Sequence, residues 1–303
     1  MAGQDQLAER FAEHRGHLRS VAYRMLGSLE EADDAVQETW LRLSRTDTTD
    51  VANLRGWLTT VAGRVCLDML RSRASRREQP LDFHIPDPVV TPLDRATPEQ
   101  EALVAESVGL ALHVVLETLP PAQRLTFVLH DVFAVPLGEI AAVLGRSEKA
   151  TKQLAARARA RIRSDGPPAD SDPMRQHEAV RAFFEAARDG DFEALVALLA
   201  PDVVLRSDGA GVASRATQVR GAAAVARLVL TYTRPDATLH PALINGAAGV
   251  VVSARGRVTA VIGFTVRGDT IVAIDGLADP ARLARIDLSR FAITPPPSLP
   301  DSR

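Results

Sequence analysis

"LGEIAAVLGRSEKATKQLAARARARI" (residues 137–162) reads as two short helices broken at a glycine. Leu137, Ile140 and Leu144 recur at a spacing of three to four, which makes one apolar face, and Ala141 leaves room for a close crossing. Gly145 suits the left-handed turn that ends such a helix. Ser147 can cap the next helix, where Glu148 favours the positive end of the dipole. Ala150, Leu154 and Ala158 continue the inward face at four-residue spacing. Lys149, Lys152, Gln153 and Arg157 are left outside, and Arg159, Arg161 and Arg163 follow them. Two helices crossing about a tight turn, the second one basic on its outer side, make a helix-turn-helix. The expected groove-facing residues are Ser147, Lys149, Lys152, Gln153 and Arg157, and the later arginines suit phosphates, which position a protein without reading sequence. The rival reading is a plain solvated helix face. Arg146 and Thr151 also stand where an apolar residue is commoner.

The rest of the chain bounds that reading. Its 303 residues suit two or three domains. The formal net charge is only −2, so affinity for nucleic acid must come from local segregation of charge. A single cysteine, Cys66, excludes an internal disulfide and any thiolate metal cluster, as a reducing cytoplasm would favour. The opening MAGQDQLAERFAEHRGHL has no apolar core of a signal peptide, and nowhere do 18 uninterrupted apolar residues occur. The expectation is a cytoplasmic protein with no membrane span, no metal, no cofactor and no catalytic residue of its own.

Prolines and glycines divide the chain. Residues 81–98 carry Pro86, Pro88, Pro92 and Pro98, and residues 165–174 include SDGPPADSDP's Gly166, Pro167 and Pro168. The expected organisation is therefore a helical domain at 1–80, a Pro-rich linker at 81–98, a second helical domain at 99–164, a linker at 165–174, a third domain at 175–293 and a mobile tail at 294–303.

In the first domain Ser28 and Glu31 form a capping box, and Leu29, Ala32, Val36, Trp40 and Leu43 make an apolar stripe behind it. Asp33, Asp34, Gln37 and Glu38 fall on the other faces. A second helix, about Arg55 to Arg77, buries Leu58, Val61, Val65 and Leu70 and shows Arg55, Arg64, Arg71 and Arg73. An acidic helix thus precedes a basic one. The third domain opens with helical patterns at 175–188, 191–199 and 221–232. The runs ALINGAAGVVVSARG, RVTAVIGFTVRG and DTIVAIDGLAD then alternate as half-buried antiparallel strands do. Helices followed by a curved antiparallel sheet make an α+β domain.

DAVQETWLRL (34–43) with LRGWLTTVAGRVCLDMLRSRASRRE (54–78) resembles region 2 of sigma-70 factors of the extracytoplasmic-function group. The 121–163 block resembles their region 4, and 175–293 looks like a SnoaL-like domain of the nuclear-transport-factor-2-like superfamily. The resemblance spans nearly the whole chain and implies two all-α helical domains followed by a cone-shaped α+β domain. It implies a non-enzymatic sigma factor that directs RNA polymerase core to promoter DNA. By that resemblance Asp33, Asp34, Gln37 and Glu38 dock on the clamp helices of the β′ subunit. Asn53, Arg55, Arg64, Arg71 and Arg73, with the loop TDTTDVANL (46–54), hold the melted −10 strand, and Ser147, Lys149, Lys152, Gln153 and Arg157 read the −35 duplex. Trp57 reads as core or as a stacking platform, and core is the favoured reading because it lies in the apolar stripe. The 81–98 connector, with Asp82, Asp87 and Asp94, threads toward the active-site cleft.

The third domain admits two roles. Asp208, Gly209 and Gly211 in RSDGAGV, with Asp275 at the end of IVAI, are its candidate loop or pocket residues. A carboxylate in such a pocket can be a general base, as in the isomerases, cyclases and hydrolases of the superfamily. Asp-Gly is equally the commonest turn chemistry. The sigma-fused branch typically has Asn-Pro-Asp-Lys-Leu where this chain has ADPARL (278–283). The expected role is modulation of the sigma factor, with a small apolar molecule as candidate ligand. The alternatives are a conventional helix-turn-helix regulator and an enzyme seated in the C-terminal domain.

Overall fold

A computed structural model of the chain describes residues 2–46, 51, 53–75, 85–93, 110–165, 173–208, 217–291 and 293. The chain divides into two compact units, 1–82 with 115–166 and 83–114 with 167–303.

The first unit is helical. Helix α1 (Ala2–Leu26) ends at Gly27, and α2 (Leu29–Leu43) starts at Ser28, whose hydroxyl accepts from the Glu31 amide at 3.4 Å. That is half of the expected capping box. Helix α3 (Leu54–Ser75) is capped by Asn53, whose Oδ1 accepts from the Gly56 amide at 3.0 Å. Phe11, Leu18, Val36, Leu43, Leu54, Leu58 and Ala62 close the core between these three helices. Helix α4 (Leu110–Glu117) contains the point at which the chain enters this unit for the second time. Helix α5 (Pro121–Phe127) starts with proline at its first position, where the missing amide costs nothing, and runs on into a π-helical turn at Val128–Val132. A Cβ on Gly63 would come within 2.9 Å of Leu129 Cδ1 and 3.1 Å of Leu125 Cδ1, which accounts for a glycine inside α3. Nearby, the buried Arg124 guanidinium donates to the Met25 carbonyl at 2.8 Å and to Glu117 Oε1 at 3.1 Å, tying the end of α1 to α5. Helices α6 (Leu137–Leu144) and α7 (Glu148–Asp165) follow.

The second unit is built on one seven-stranded sheet. Helices α8 (Pro173–Asp189) and α9 (Phe192–Leu198) precede β2 (Leu199–Ser207) and β3 (Thr217–Arg220); α10 (Ala222–Tyr232) leads into β4 (Ala237–Ile244), β5 (Ala247–Ala254), β6 (Arg257–Arg267) and β7 (Thr270–Leu277). Asn245-Gly246 and Arg255-Gly256, all four at positive φ, are the two-residue hairpin turns that match strand twist. With β1 (Val90–Pro92) at one edge, the order is β1-β4-β5-β6-β7-β2-β3. All pairings are antiparallel except β2 with β7, which is parallel. The antiparallel expectation is corrected there, because a strand joined through β3, α10 and the three hairpins of β4 to β7 can return in the same direction. One sheet face packs under α8, α9 and α10 through Val180, Phe183, Leu195, Val225, Val250 and Phe264.

The other face is covered partly by the proline-rich connector. Val90–Pro92 is strand β1, paired with Ile244 to Ala242 at the sheet edge. The Val89 amide donates to Asn245 Oδ1 at 2.8 Å, and the Asn245 amide donates back to the Val89 carbonyl at 2.8 Å. Arg282, in the short helix α11 (Pro280–Leu283), donates to Asp87 Oδ1 at 2.6 Å and to the Ile85 carbonyl at 2.6 Å. Ile85, Val89 and Val90 are buried. The prolines confine this segment to an edge, where a missing donor is tolerated; its aliphatic residues give it a reason to dock. Asp82 and Asp94 lie outside the described residues.

Candidate functional site

Three surfaces gather the expected residues. On α6 and α7 the inward residues are Ile140, Ala141, Leu144, Leu154, Ala155 and Ala158. Gly145 holds φ 63° and ψ 38°, the left-handed cap expected of it. The Ser147 hydroxyl accepts from the Ala150 amide at 3.3 Å. Thr151 is fully buried, and its hydroxyl donates to the Ser147 carbonyl at 3.1 Å, which is how a polar residue serves at an apolar position. Lys149, Lys152, Gln153 and Arg157 are exposed along one side of α7, and the cations among them have no ion pair among the described residues. Arg159 differs: it donates to Asp131 Oδ1 at 2.5 Å and so braces α7 against the π-helical turn.

On α2 the four expected residues divide. Asp33 accepts two hydrogen bonds from Arg19, at 2.8 and 3.0 Å, and Glu38 pairs with Arg42 at 3.0 Å. Asp34 and Gln37 are exposed. Leu41, 39% exposed, lies seven residues after Asp34 and four after Gln37, so it extends their face. Sequence reasoning missed Leu41, although that spacing would have found it.

On α3, Arg64 and Arg71 are exposed, while Arg73 is paired with Glu31. Asn53 spends its side-chain oxygen on the helix cap. Arg55 donates to His17 Nδ1 at 3.2 Å, and His17 Nε2 faces Thr59 Oγ1 at 2.9 Å. Burial, then the charge of Arg55, lowers the His17 pKa to about 4, so the ring is neutral at physiological pH. Trp57 is half in the core and half exposed; with Arg42, Arg45, Thr46, Val61 and Arg64 it lines a hollow of about 530 Å3. Elsewhere on α3, Cys66 is fully buried, which raises its thiol pKa and leaves it unreactive.

In the second unit a cavity of about 2290 Å3 opens on the sheet face under α8 and α10. Phe183, Phe184, Leu205, Tyr232, Leu239 and Ile262 are among its walls. Asp208 and Asp275 are not. The two Asp208 oxygens accept from the Ala278 and Asp279 amides, each at 2.9 Å, so this residue is a loop clamp. Asp275 is buried against Arg206 at 2.8 Å, on the opposite side of β7 from the cavity-lining Ile274. Burial raises its pKa, and Arg206 opposes that shift. Gly209 and Gly211 fall outside the described residues. Among the described residues, no group of three His, Cys, Asp or Glu could hold a metal, and no helix is long and apolar enough to cross a membrane.

Comparison with known proteins agrees with this layout. Family models match at residues 10–76 (Sigma-70 region 2), 109–162 (Sigma-70, region 4) and 180–278 (SnoaL-like domain). The ECF RNA polymerase sigma factor SigJ of Mycobacterium tuberculosis is 41% identical over 280 residues, 88% of this chain and 89% of that protein. The probable ECF RNA polymerase sigma factor SigI of the same species is 33% identical over 93% of this chain and 97% of its own length. The crystal structure of M. tuberculosis SigJ superposes with a TM-score of 0.73 at 36% identity, covering 93% of this chain and 99% of that one. Two sigma regions in order, a third matched domain and a whole-length structural likeness lead to one conclusion: the chain belongs to the extracytoplasmic-function sigma factors of the sigma-70 family, in the group that carries a C-terminal SnoaL-like domain.

Proposed function

We propose that this sigma factor divides promoter recognition between its two helical regions and is tuned by its C-terminal domain. As a sigma factor it binds RNA polymerase core and directs it to promoter DNA. Helix α7 enters the major groove of the −35 element with Ser147, Lys149, Lys152, Gln153 and Arg157. Arg64 and Arg71 hold the melted −10 strand, and the hollow beside Trp57 receives an unstacked base. Extracting a base costs a few kcal/mol, which such a pocket and phosphate contacts together offset. Asp34, Gln37, Glu38 and the apolar Leu41 form the face that docks on the clamp helices of the polymerase.

The observation that carries this reading is the row of exposed lysines and arginine on α7, uncommitted within the described residues, in a chain that also has region 2. A conventional helix-turn-helix regulator has no use for that second region. Run-off transcription with purified core and the gene's own upstream DNA tests it: the full chain should start transcription at a defined position, and core that ignores the chain would overturn the reading.

The C-terminal domain acts through the connector. Because Ile85–Pro92 is docked on the C-terminal sheet, the tether between regions 2 and 4 is shortened to what that docking allows. Releasing the tether changes how the two regions reach −10 and −35 together. Replacing Arg282 by Ala removes the bonds to Asp87 and Ile85 and should alter run-off yield; unchanged yield would refute modulation by this route.

A further inference from the structure

We propose that the cavity of the SnoaL-like domain binds a long-chain carboxylate, with the chain against the sheet face and the headgroup at Arg255 and Arg257. The inference rests on reading this domain as regulatory and not catalytic. Four large apolar side chains are exposed among the described residues, and three of them, Leu93 (51%), Tyr232 (41%) and Leu239 (37%), line this one cavity. A concentration of wet apolar surface in a concave site marks a binding site. The sheet side is apolar as well, through Val252, Ile262 and Phe264. Those three positions offer hydrophobic contact and no acid or base to a bound molecule.

The cavity, about 2290 Å3, exceeds the roughly 300–1000 Å3 of sites for drug-sized molecules, so it has room for a long hydrocarbon chain laid along the sheet. Charge narrows the class. At one end, where β4 begins and the β5–β6 hairpin turns, Arg234 and Arg255 both approach Asp236, at 3.3 and 3.6 Å. One carboxylate shared by two guanidiniums leaves a positive excess. Arg257, paired across the hairpin with Ala254, adds a third guanidinium with no ion pair among the described residues. The acidic lining residue Glu178 stands at the other end of β4, next to His177, which bonds the Ala242 carbonyl at 3.2 Å. Arg181 is balanced by Glu185 at 3.2 Å. Arg188, also in the lining, pairs with Asp189 at 3.5 Å. The unbalanced cations therefore gather at the Arg234–Arg255–Arg257 end, and with the apolar walls they make the complement of an anionic amphiphile.

The test uses the full chain, stripped of bound lipid, and titration calorimetry below the critical micelle concentration. Laurate should bind saturably, dodecanol at least tenfold more weakly, and dodecyltrimethylammonium more weakly again. The double variant Arg255→Glu/Arg257→Glu, both at exposed positions, should lose at least tenfold for laurate with dodecanol unchanged. Ile262→Trp, which puts a bulky ring where the chain lies against the sheet, should weaken all three. Equal affinity for laurate and dodecanol, indifference to the arginine changes, or no saturable binding would each overturn the proposal. The Arg282→Ala transcription assay is independent of these outcomes. If laurate fails and that assay still responds, only the ligand is wrong; if laurate binds and the assay is silent, the site stands and the regulatory reading falls.

Discussion

His17 is held between Arg55 and Thr59, in a place where a second positive charge is unwelcome. Its pKa falls from 6.5 to about 4 through burial and the charges of Arg55, His14 and Arg24. A histidine whose folded pKa is depressed is a neutral group in the native state. Above pH 6.5 neither state binds the proton, and the full stability is present. As pH falls from about 6.5 to about 4, the unfolded chain takes up a proton that the folded chain refuses, and stability declines. One pKa unit corresponds to about 1.4 kcal/mol, and partial exposure discounts the total to roughly 1–2 kcal/mol. Urea titrations of His17→Gln should show a smaller loss between pH 6.5 and 4 than the parent; identical pH profiles would contradict this account. Nothing in the local sequence marks this histidine. Its partners lie 38 and 42 residues away, and only the packing of α1 on α3 brings them together.

At the scale of elements, α7 was the most legible part of the chain, because cap, turn glycine, inward spacing and outward charge all agree. What the pattern could not resolve is which cations are spoken for. Arg159 belongs to the same run as Arg157 and Arg161, and it is taken by Asp131 on a different helix. Arg73 is likewise taken by Glu31. Periodicity sees a face, and pairing across elements depends on tertiary position. Replacing Lys152 or Arg157 by Ala should reduce promoter binding more than replacing Arg163. If either residue reads a base, the loss should be about 1–3 kcal/mol at one promoter position, and each phosphate contact removed should lower the log–log salt slope by about 1. Binding isotherms at several salt concentrations check this, and three equal, sequence-blind losses would sink the base-reading assignment. The strand pattern was legible in the same way for β4 to β7, whose hairpin turns are written as Asn-Gly and Arg-Gly. β1 was hidden by its prolines, and β3 by its four-residue length with a half-exposed pattern. The carboxylates of the third domain stayed open between loop and pocket for a related reason: strand alternation places Asp275 on the side away from the cavity, but no sequence pattern says which side is hollow.

For the whole molecule, the consequential feature is that the second unit is made from two separated pieces of chain, 83–114 and 167–303. A chain cut after residue 166 therefore does more than lose a domain. It bares Ile85, Val90 and Leu110, which the C-terminal unit otherwise buries. Such a truncation should bind a hydrophobic dye more strongly, and precipitate more readily, than the full-length Arg282→Ala variant. If the two behave alike in dye binding, the connector's burial matters less than the structure implies. A change in transcription on truncation is open to two causes, and only the point substitution isolates the tether.

The same discontinuity reaches back to the ribosome. Val89 must wait for Asn245, 156 residues further along. At about 5–20 residues synthesised per second, that is roughly 8–30 s in which a sticky aliphatic strip has emerged and its cover has not. For that interval the nascent chain shows the kind of surface that aggregates, and slow codons placed after the strip would lengthen the exposure.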